Sequence, residues 1–413
     1  MSFRLDFKKA RSSVLILVVV VASFVGGYYF GVEGFKAKVN NALQISVSQQ
    51  VPPDISANMD LFWTVWKRLD SQYYDKTKLD PNKMVYGAIE GMVNSLGDPF
   101  TMFLPPDQNK TINEDLSGSF SGVGIQIGLD KTSTLMVEAP LPSSPAEKAG
   151  VKAGDYITRI KDIKKNIDIS TSGITLSDAV SDIRGTVGTT VTLTLVRSGV
   201  SAPIVVDLVR AKIDVPSVVL TYTGDNNKIA DLKVNSFDAT TPDEWNKAVD
   251  QVISHGGVTG IIVDLRDNPG GYLQDAIDLM SDFVKQGTVV VKEEGVNGEI
   301  KCDDCATQKS PRLFGLPVVV LINGGSASAS EIMTGALQDL VHAKTVGIKS
   351  FGKGTVQEPE DDLAGGSGLH VTVAKWLTPN GTWVHGVGIT PDVVVENPTA
   401  TEDAQLKAAI KLF

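Results

Sequence analysis

Two five-residue runs, Ile261–Leu265 (IIVDL) and Val318–Ile322 (VVVLI), constrain this chain more than any other feature. Neither alternates between apolar and polar residues, as a strand with one wet face would, so both read as strands covered on two sides. They sit in a longer alternation from Ile213 to about Pro398: KIADLKV, PDEWNKAVDQVI, TGIIVDL, LQDAIDLMSDFV, PVVVLI and SEIMTGALQDL. That order predicts an α/β domain with a mostly parallel sheet over residues 211–398. At its far end LHVTVAKWLTPNGTWV reads as a hairpin turning at Pro379–Asn380–Gly381, and residues 399–413 as a short closing helix.

A chain of 413 residues has room for two or three domains. Residues 54–116 follow a helical pattern, with Leu61, Val65 and Leu69 on one face and Val85, Ile89, Met92, Val93 and Leu96 repeating it, before the breakers GDPF and LPPD. Core packing is the expected place of Phe62, Trp63, Trp66, Tyr73 and Tyr74. Residues 117–210 carry short β-type runs interrupted by SPAEKAG and LSDAVSDI, which predicts a small β-domain capped by two helices. The formal net charge of −10 argues against nucleic acid, whose phosphates call for a basic surface.

Ser12 to Val32 carry no charge and are almost wholly apolar. About 20 such residues span a ~30 Å hydrocarbon layer as a helix. Arg4, Lys8, Lys9 and Arg11 precede the stretch and Glu33 follows it, so the positive-inside rule puts residues 1–11 in the cytoplasm. Residues 12–32 then form a single-pass anchor in the cell membrane and 33–53 a linker to an extracytoplasmic (periplasmic or extracellular) remainder. A cleaved signal peptide is the rival. The length of the stretch and its Tyr28–Tyr29–Phe30 end favour the anchor. The two cysteines, Cys302 and Cys305, are expected to form a local disulfide. None of His255, His342, His370 and His385 is paired at a ligand-like spacing, so neither a metal nor another cofactor is expected.

Chemistry in a parallel sheet gathers beyond the carboxyl ends of its strands. Two such ends are glycine-rich here: VDLRDNPGG, ending at Gly270–Gly271, and LINGGSASASEI, which enters a helix bearing Ser326, Ser328 and Ser330. A serine at a helix N-terminus lies among free N–H groups that stabilise an oxyanion. Ser328-Ala-Ser-Glu331 equally fits a capping box, in which the serine only satisfies backbone donors. In SFGKGTVQ a lysine, Lys353, stands between glycines. It could act as a general base if burial lowered its pKa, and no carboxylate occurs between Lys344 and Gln357 to oppose that. An oxyanion hole would combine the N–H of Ala329 with that of Gly270 or Gly271.

GGSASASEI, SFGKGTVQ and TPNGTWVHGVGITPDVVV resemble the C-terminal processing peptidases, or tail-specific proteases, as do GAIEGMVNSLGDPFT, SGVGIQI, SPAEKAGVKAGDYI and VDLRDNPGG. The resemblance implies a ClpP/crotonase-like serine endopeptidase with Ser328 as nucleophile, Lys353 as base and Gln357 in support. It identifies residues 117–210 as a PDZ domain that takes substrate C-termini on the loop Gly122, Val123, Gly124 and Ile125. It also makes Arg184 a regulatory candidate and implies a possible homodimer through helical end-segments. Two other classes stay open: a Ser–His–Asp hydrolase using His370 or His385, and a non-catalytic PDZ adaptor.

Overall fold

The computed structural model describes residues 17–25, 28, 35–39, 45–49, 58–130, 132–301, 305–361, 363–396 and 402–413. The chain divides into two units, residues 1–84 and 85–413. In the first, residues 17–25 are helical, Phe35–Val39 pairs antiparallel with Ile45–Gln49, and a helix runs over Asp60–Gln72. Residues 12–16, 26, 27 and 29–32 of the expected anchor lie outside the described residues. Among the described residues no helix is long and apolar enough to cross a membrane. The Asp60–Gln72 helix buries no side chain, which corrects the expected core packing. Trp63 and Tyr74 are 52% and 94% exposed, and the rings of Phe62, Trp63 and Trp66 pack on one another, with centroids 5.0–6.1 Å apart.

The second unit is built on a six-stranded sheet. Its elements, in chain order, are β1 (Val218–Thr223), β2 (Ile229–Val234), α1 (Thr241–His255), β3 (Gly260–Asp264), α2 (Leu273–Met280), β4 (Lys292–Gly295), β5 (Val318–Ile322), α3 (Ala329–Ala336), β6 (Lys344–Gly347), β7 (Thr355–Glu360), β8 (Gly368–Leu377), β9 (Val393–Val394) and α4 (Ala404–Ile410). The sheet order is β1-β2-β3-β5-β6-β9, parallel except for the antiparallel edge strand β1.

The two apolar runs are covered on both faces. Ile261, Val263, Val320 and Ile322 pack with Trp245 and Val249 of α1 and Ile277 of α2. Ile262, Val319 and Leu321 face the other way, onto Leu406 and Ala409 of α4. Each such side chain contributes roughly 1.5–3 kcal/mol on burial. The last turn of the chain seals this layer, because Phe413 lies against Gly260, where a Cβ would come within 2.2 Å of its ring.

β4, β7 and β8 form a second, antiparallel sheet, joined by Ile300–Lys301 and by Met102–Leu104. Here the expected hairpin is corrected. The turn at Gly381 exists, with φ of +88° and its N–H donated to the Thr378 carbonyl at 2.8 Å, but among the described residues no strand after it pairs back onto β8. The antiparallel partners of β8 are β7, β4 and Met102–Leu104. The chain after Thr382 folds over the Lys353 loop instead, with Gly386 N–H on the Gly352 carbonyl at 2.9 Å.

Residues 117–210 form the β-domain. Its antiparallel sheet runs Ile204–Val209, Thr190–Val196, Tyr156–Asp162, Leu135–Pro140, Ile125–Leu129, with Ile167–Ser170 beside Tyr156–Asp162. Two helices, Pro145–Lys148 and Leu176–Ile183, complete it. The chain enters and leaves through one ladder, Ser119–Gly122 paired antiparallel with Ala211–Asp214.

Candidate active site

Geometry separates the three serines that the sequence offers. Ser326 is fully buried, and its hydroxyl donates to the Leu265 carbonyl at 2.7 Å while accepting from Asn323 N–H. Ser330 is fully buried and donates to the Asn268 carbonyl at 2.9 Å. Both stitch the two glycine-rich loops together. Ser328 is half-buried and stands at the N-cap of α3 with φ +55° and ψ −117°. That conformation is sparsely populated for a side-chain-bearing residue and costs on the order of 1–3 kcal/mol. The surroundings have the outline of a capping box. Yet the Glu331 amide is given to the Ser328 carbonyl at 2.8 Å, and the serine hydroxyl makes no cap bond.

Glu331 supplies the link between the two motifs. Its fully buried carboxyl group takes four hydrogen bonds: Ser328 N–H (3.0 Å) and Lys353 N–H (2.8 Å) on Oε2, Ser350 Oγ (2.6 Å) and Gly352 N–H (2.8 Å) on Oε1. One oxygen atom thus holds the backbone of both residues that the resemblance singles out. The sequence presents Glu331 only as half of a cap, because nothing in a linear reading joins it to a loop beyond the next strand. Two indole N–H groups lock the rest of that loop, Trp376 on the Lys353 carbonyl at 2.9 Å and Trp383 on the Gly354 carbonyl at 2.8 Å.

The Lys353 amine lies 5.2 Å from the centroid of Phe100 and forms no ion pair among the described residues. Burial holds its pKa below the ordinary lysine range, and Asp98 pulls the other way. The sequence does not foretell Asp98 or Phe100. They arrive because Met102–Leu104, between the two breakers, pairs with β8. Gln357, on β7 just after a bulge, donates its amide to Thr355 Oγ1 (2.9 Å) and Thr372 Oγ1 (3.1 Å) and is not bonded to Lys353 here.

Gly270 sits hard against the serine turn, where a Cβ would meet Ser328 Cβ at 2.8 Å and Ala329 N at 3.0 Å, and its φ is +100°. Its N–H is given to Asn268 Oδ1 at 2.9 Å. The amides of Gly271 and Ala329 have no protein acceptor among the described residues. Gly271 admits no side chain either, since a Cβ would fall 1.8 Å from the Phe237 carbonyl oxygen.

The histidines are otherwise employed. His255 stacks on Tyr222 with centroids 4.0 Å apart, and His342 takes a left-handed turn after α3. His385 stacks on Trp383 and accepts the Gly354 N–H on Nδ1 at 3.4 Å. Nε2 of His370 is buried without a hydrogen bond, and burial first, then Lys353, lowers that ring's pKa. No hydrogen bond among the described residues joins a histidine to Ser328. Cys305 is buried, whereas Cys302 lies outside the described residues, as does the disulfide expected between them.

On the β-domain, Ile125–Leu129 is an edge strand. A pocket of about 140 Å³ beside it is lined by Phe120, Gly122–Ile125, Val180 and Arg184, among others. The amides of Val123 and Gly124 have no protein acceptor among the described residues. Arg184 lies over Phe120 at 4.6 Å and donates to Asp115 at 3.1 Å, while its Nη1 is buried without a partner.

Residues 228–395 match the model of peptidase family S41, residues 111–196 that of the PDZ domain, and residues 19–108 that of the activating protease CtpB N-terminal domain. The chain is 37% identical over 333 residues to the carboxy-terminal processing protease CtpA of Bacillus subtilis (strain 168), covering 81% of this chain and 68% of that one. It is 39% identical over 347 residues to a probable CtpA-like serine protease of Staphylococcus aureus (strain MSSA476), covering 83% of this chain and 66% of the relative. It thus spans about two thirds of the length of these relatives. Among solved structures it is similar to the photosystem II D1 C-terminal processing protease, with a TM-score of 0.51 and 29% identity over 86% of this chain and 97% of that one. The chain belongs to the carboxy-terminal processing proteases of peptidase family S41, serine endopeptidases with a PDZ domain.

Proposed function

We propose that Ser328 and Lys353 are the catalytic pair of a membrane-anchored endopeptidase that cuts extracytoplasmic proteins near their C-termini. The observation that carries this reading is the single Glu331 oxygen shared by the two residues' amides, beside a lysine whose amine is buried without an ion pair. Neutral Lys353 Nζ takes the Ser328 hydroxyl proton as Oγ attacks the scissile carbonyl. The oxyanion is held by the amides of Ala329 and Gly271, since the Gly270 amide is already spent. The ammonium returns the proton to the leaving amine, and water, deprotonated in its turn by Lys353, releases the acyl group. Gln357 supports the lysine once its amide turns from the threonines. Replacement of Ser328 and of Lys353, argued in the Discussion, tests the pair.

Substrate choice falls to the PDZ groove. A free C-terminus adds a strand beside Ile125–Ile127 and sets its carboxylate on the amides of Val123 and Gly124, with the unpartnered Nη1 of Arg184 at the same pocket. A peptide with an apolar free C-terminus is expected to be cleaved at least about tenfold faster than its C-terminal amide, one lost charged hydrogen-bond partner being worth roughly 1.5–3 kcal/mol. Equal rates for the two would remove the groove as selector.

The uncharged residues 12–32 support a single-pass anchor, and the exposed aromatic face of Asp60–Gln72 supports a homodimer contact. Deleting residues 1–72 is expected to move the protein from the membrane pellet to the soluble fraction and to halve its mass in detergent solution. A deleted chain that stays in the pellet removes the anchor, and one of unchanged mass removes the dimer contact.

A further inference from the structure

The turn that closes the N-terminal helical region, Gly97–Thr101, lies against the lysine and its supporting glutamine, and the proposed mechanism gives it no task. Asp98 accepts from Phe100 N–H at 3.0 Å and from Thr101 Oγ1 at 2.8 Å, so the turn is self-braced. Thr101 Oγ1 in turn receives Thr372 N–H from β8 at 3.0 Å. The Thr372 hydroxyl accepts the Gln357 side-chain amide at 3.1 Å. An unbroken path of hydrogen bonds therefore runs from Asp98 through the Thr101 hydroxyl and Thr372 to Gln357. The same turn puts Phe100 under the Lys353 amine.

We propose that Asp98 is a positioning residue of the active site, aligning Gln357 through Thr372 and setting the charge against which Lys353 loses its proton. The inference rests on the Ser328–Lys353 reading. Asp98 suits the task because it is anionic at working pH. Burial acts to raise its pKa, but the nearby Thr372 hydroxyl, the hydrogen bonds from Phe100 and Thr101 and the charge of His385 outweigh that and hold it below the usual carboxylate range. It faces Lys353 without a direct ion pair, so it tempers the loss of the amine's charge rather than locking the proton on. Around the amine, His370 faces it from β8 and is itself influenced by Asp361, and His385 faces Asp98 from the segment after Thr382. Among the described residues Asp98 is the anionic group acting on Lys353.

The two functions are separable by mutation in the full-length enzyme. Asp98→Asn removes the charge and keeps an oxygen for one of the two donors, Phe100 N–H on Oδ1 or the Thr101 hydroxyl on Oδ2. Thr372→Val cuts the path to Gln357 and leaves the charge. Measured as kcat and KM against pH on a free-carboxylate peptide, D98N is expected to move the acid limb to lower pH by roughly half a unit or more, because an anion no longer favours the ammonium. T372V is expected to lower kcat about tenfold with KM within about twofold and the acid limb in place, as a misaligned supporting group would. An unmoved acid limb in folded D98N overturns the electrostatic role, and a wild-type kcat in T372V overturns the alignment role. If D98N melts below the assay temperature, Asp98→Glu replaces it: the longer acid keeps the charge, so an acid limb moved to lower pH by roughly half a unit or more in folded D98E overturns the electrostatic role. K353M distinguishes this inference from its foundation. An active K353M removes the Ser–Lys assignment itself, whereas an inactive K353M beside an unaltered D98N profile removes only the part given to Asp98.

Discussion

Replacing Ser328 with alanine is expected to reduce kcat/KM by about 10⁴-fold or more, the range seen when a nucleophile is removed from a serine hydrolase. The fold should hardly notice. The hydroxyl makes no cap hydrogen bond, and the amide that anchors the turn to Glu331 is retained, so unfolding free energy is expected to stay within about 0.5 kcal/mol of wild type. Ser326→Ala and Ser330→Ala are expected to behave in the opposite way. Each removes a buried bond between the two glycine-rich loops, at about 1–3 kcal/mol, and lowers activity only as far as the loops shift. Peptide hydrolysis with thermal melting on the same three variants checks this. An active S328A beside an inactive but stable S326A or S330A would move the nucleophile.

Lys353→Arg is expected to lower kcat/KM by about 10²–10⁴-fold, the usual contribution of a general base, because a guanidinium does not release its proton at working pH. In the wild type kcat/KM should climb with pH to a plateau, through a lysine pKa that burial has brought down and Asp98 partly restores. The sign of the linked stability follows. The unfolded chain keeps this proton to higher pH than the folded one, so the contribution of Lys353 to stability grows as pH rises from the depressed value towards the ordinary lysine range. Asp231 and Asp275 oppose it. Their pKa values are pushed up to about 7, by burial first and then by Asp264 and Asp278 respectively, so they withdraw stability as pH rises from the usual carboxylate range through about 7. Rates therefore need to be read well below the melting temperature at each pH. Substantial activity in folded K353R would exclude lysine as the base.

The family, the order of helical segment, PDZ domain and protease core, and the mostly parallel core sheet were legible in residues alone, whereas the second, antiparallel sheet was not. The runs IIVDL and VVVLI announced strands covered on both faces, and Ile261 and Ile262 do face different layers, one under α1 and α2 and the other under α4. The glycines at 270 and 271 were legible only as a glycine-rich strand end; that a Cβ there would meet Ser328, Ala329 and Phe237 is set by the neighbouring backbone. The sequence misled where a local pattern had two uses. LTPNGTWV has the composition of a hairpin, but its second arm went to cover the lysine loop, where the backbone carbonyl of Gly354 took the indole N–H of Trp383. The aromatic stripe of Asp60–Gln72 has the spacing of a core face and lies only partly covered, because spacing reports amphipathicity and not what covers it.

What the sequence by itself determined therefore depends on short-range pattern: the strands covered on both faces, the entry to α3 and the motifs that name the family. Only the tertiary structure decided which of three serines keeps a free hydroxyl, that Glu331 holds the serine turn and the lysine loop on one oxygen, and that Asp98 stands near an amine with no carboxylate beside it in the chain. Electrostatic and hydrogen-bond environments are set by distance in space. Residues 98, 331 and 353 share one site because Met102–Leu104 pairs with β8 and the Lys353 loop folds onto the start of α3, pairings between segments far apart in the chain that no local pattern encodes.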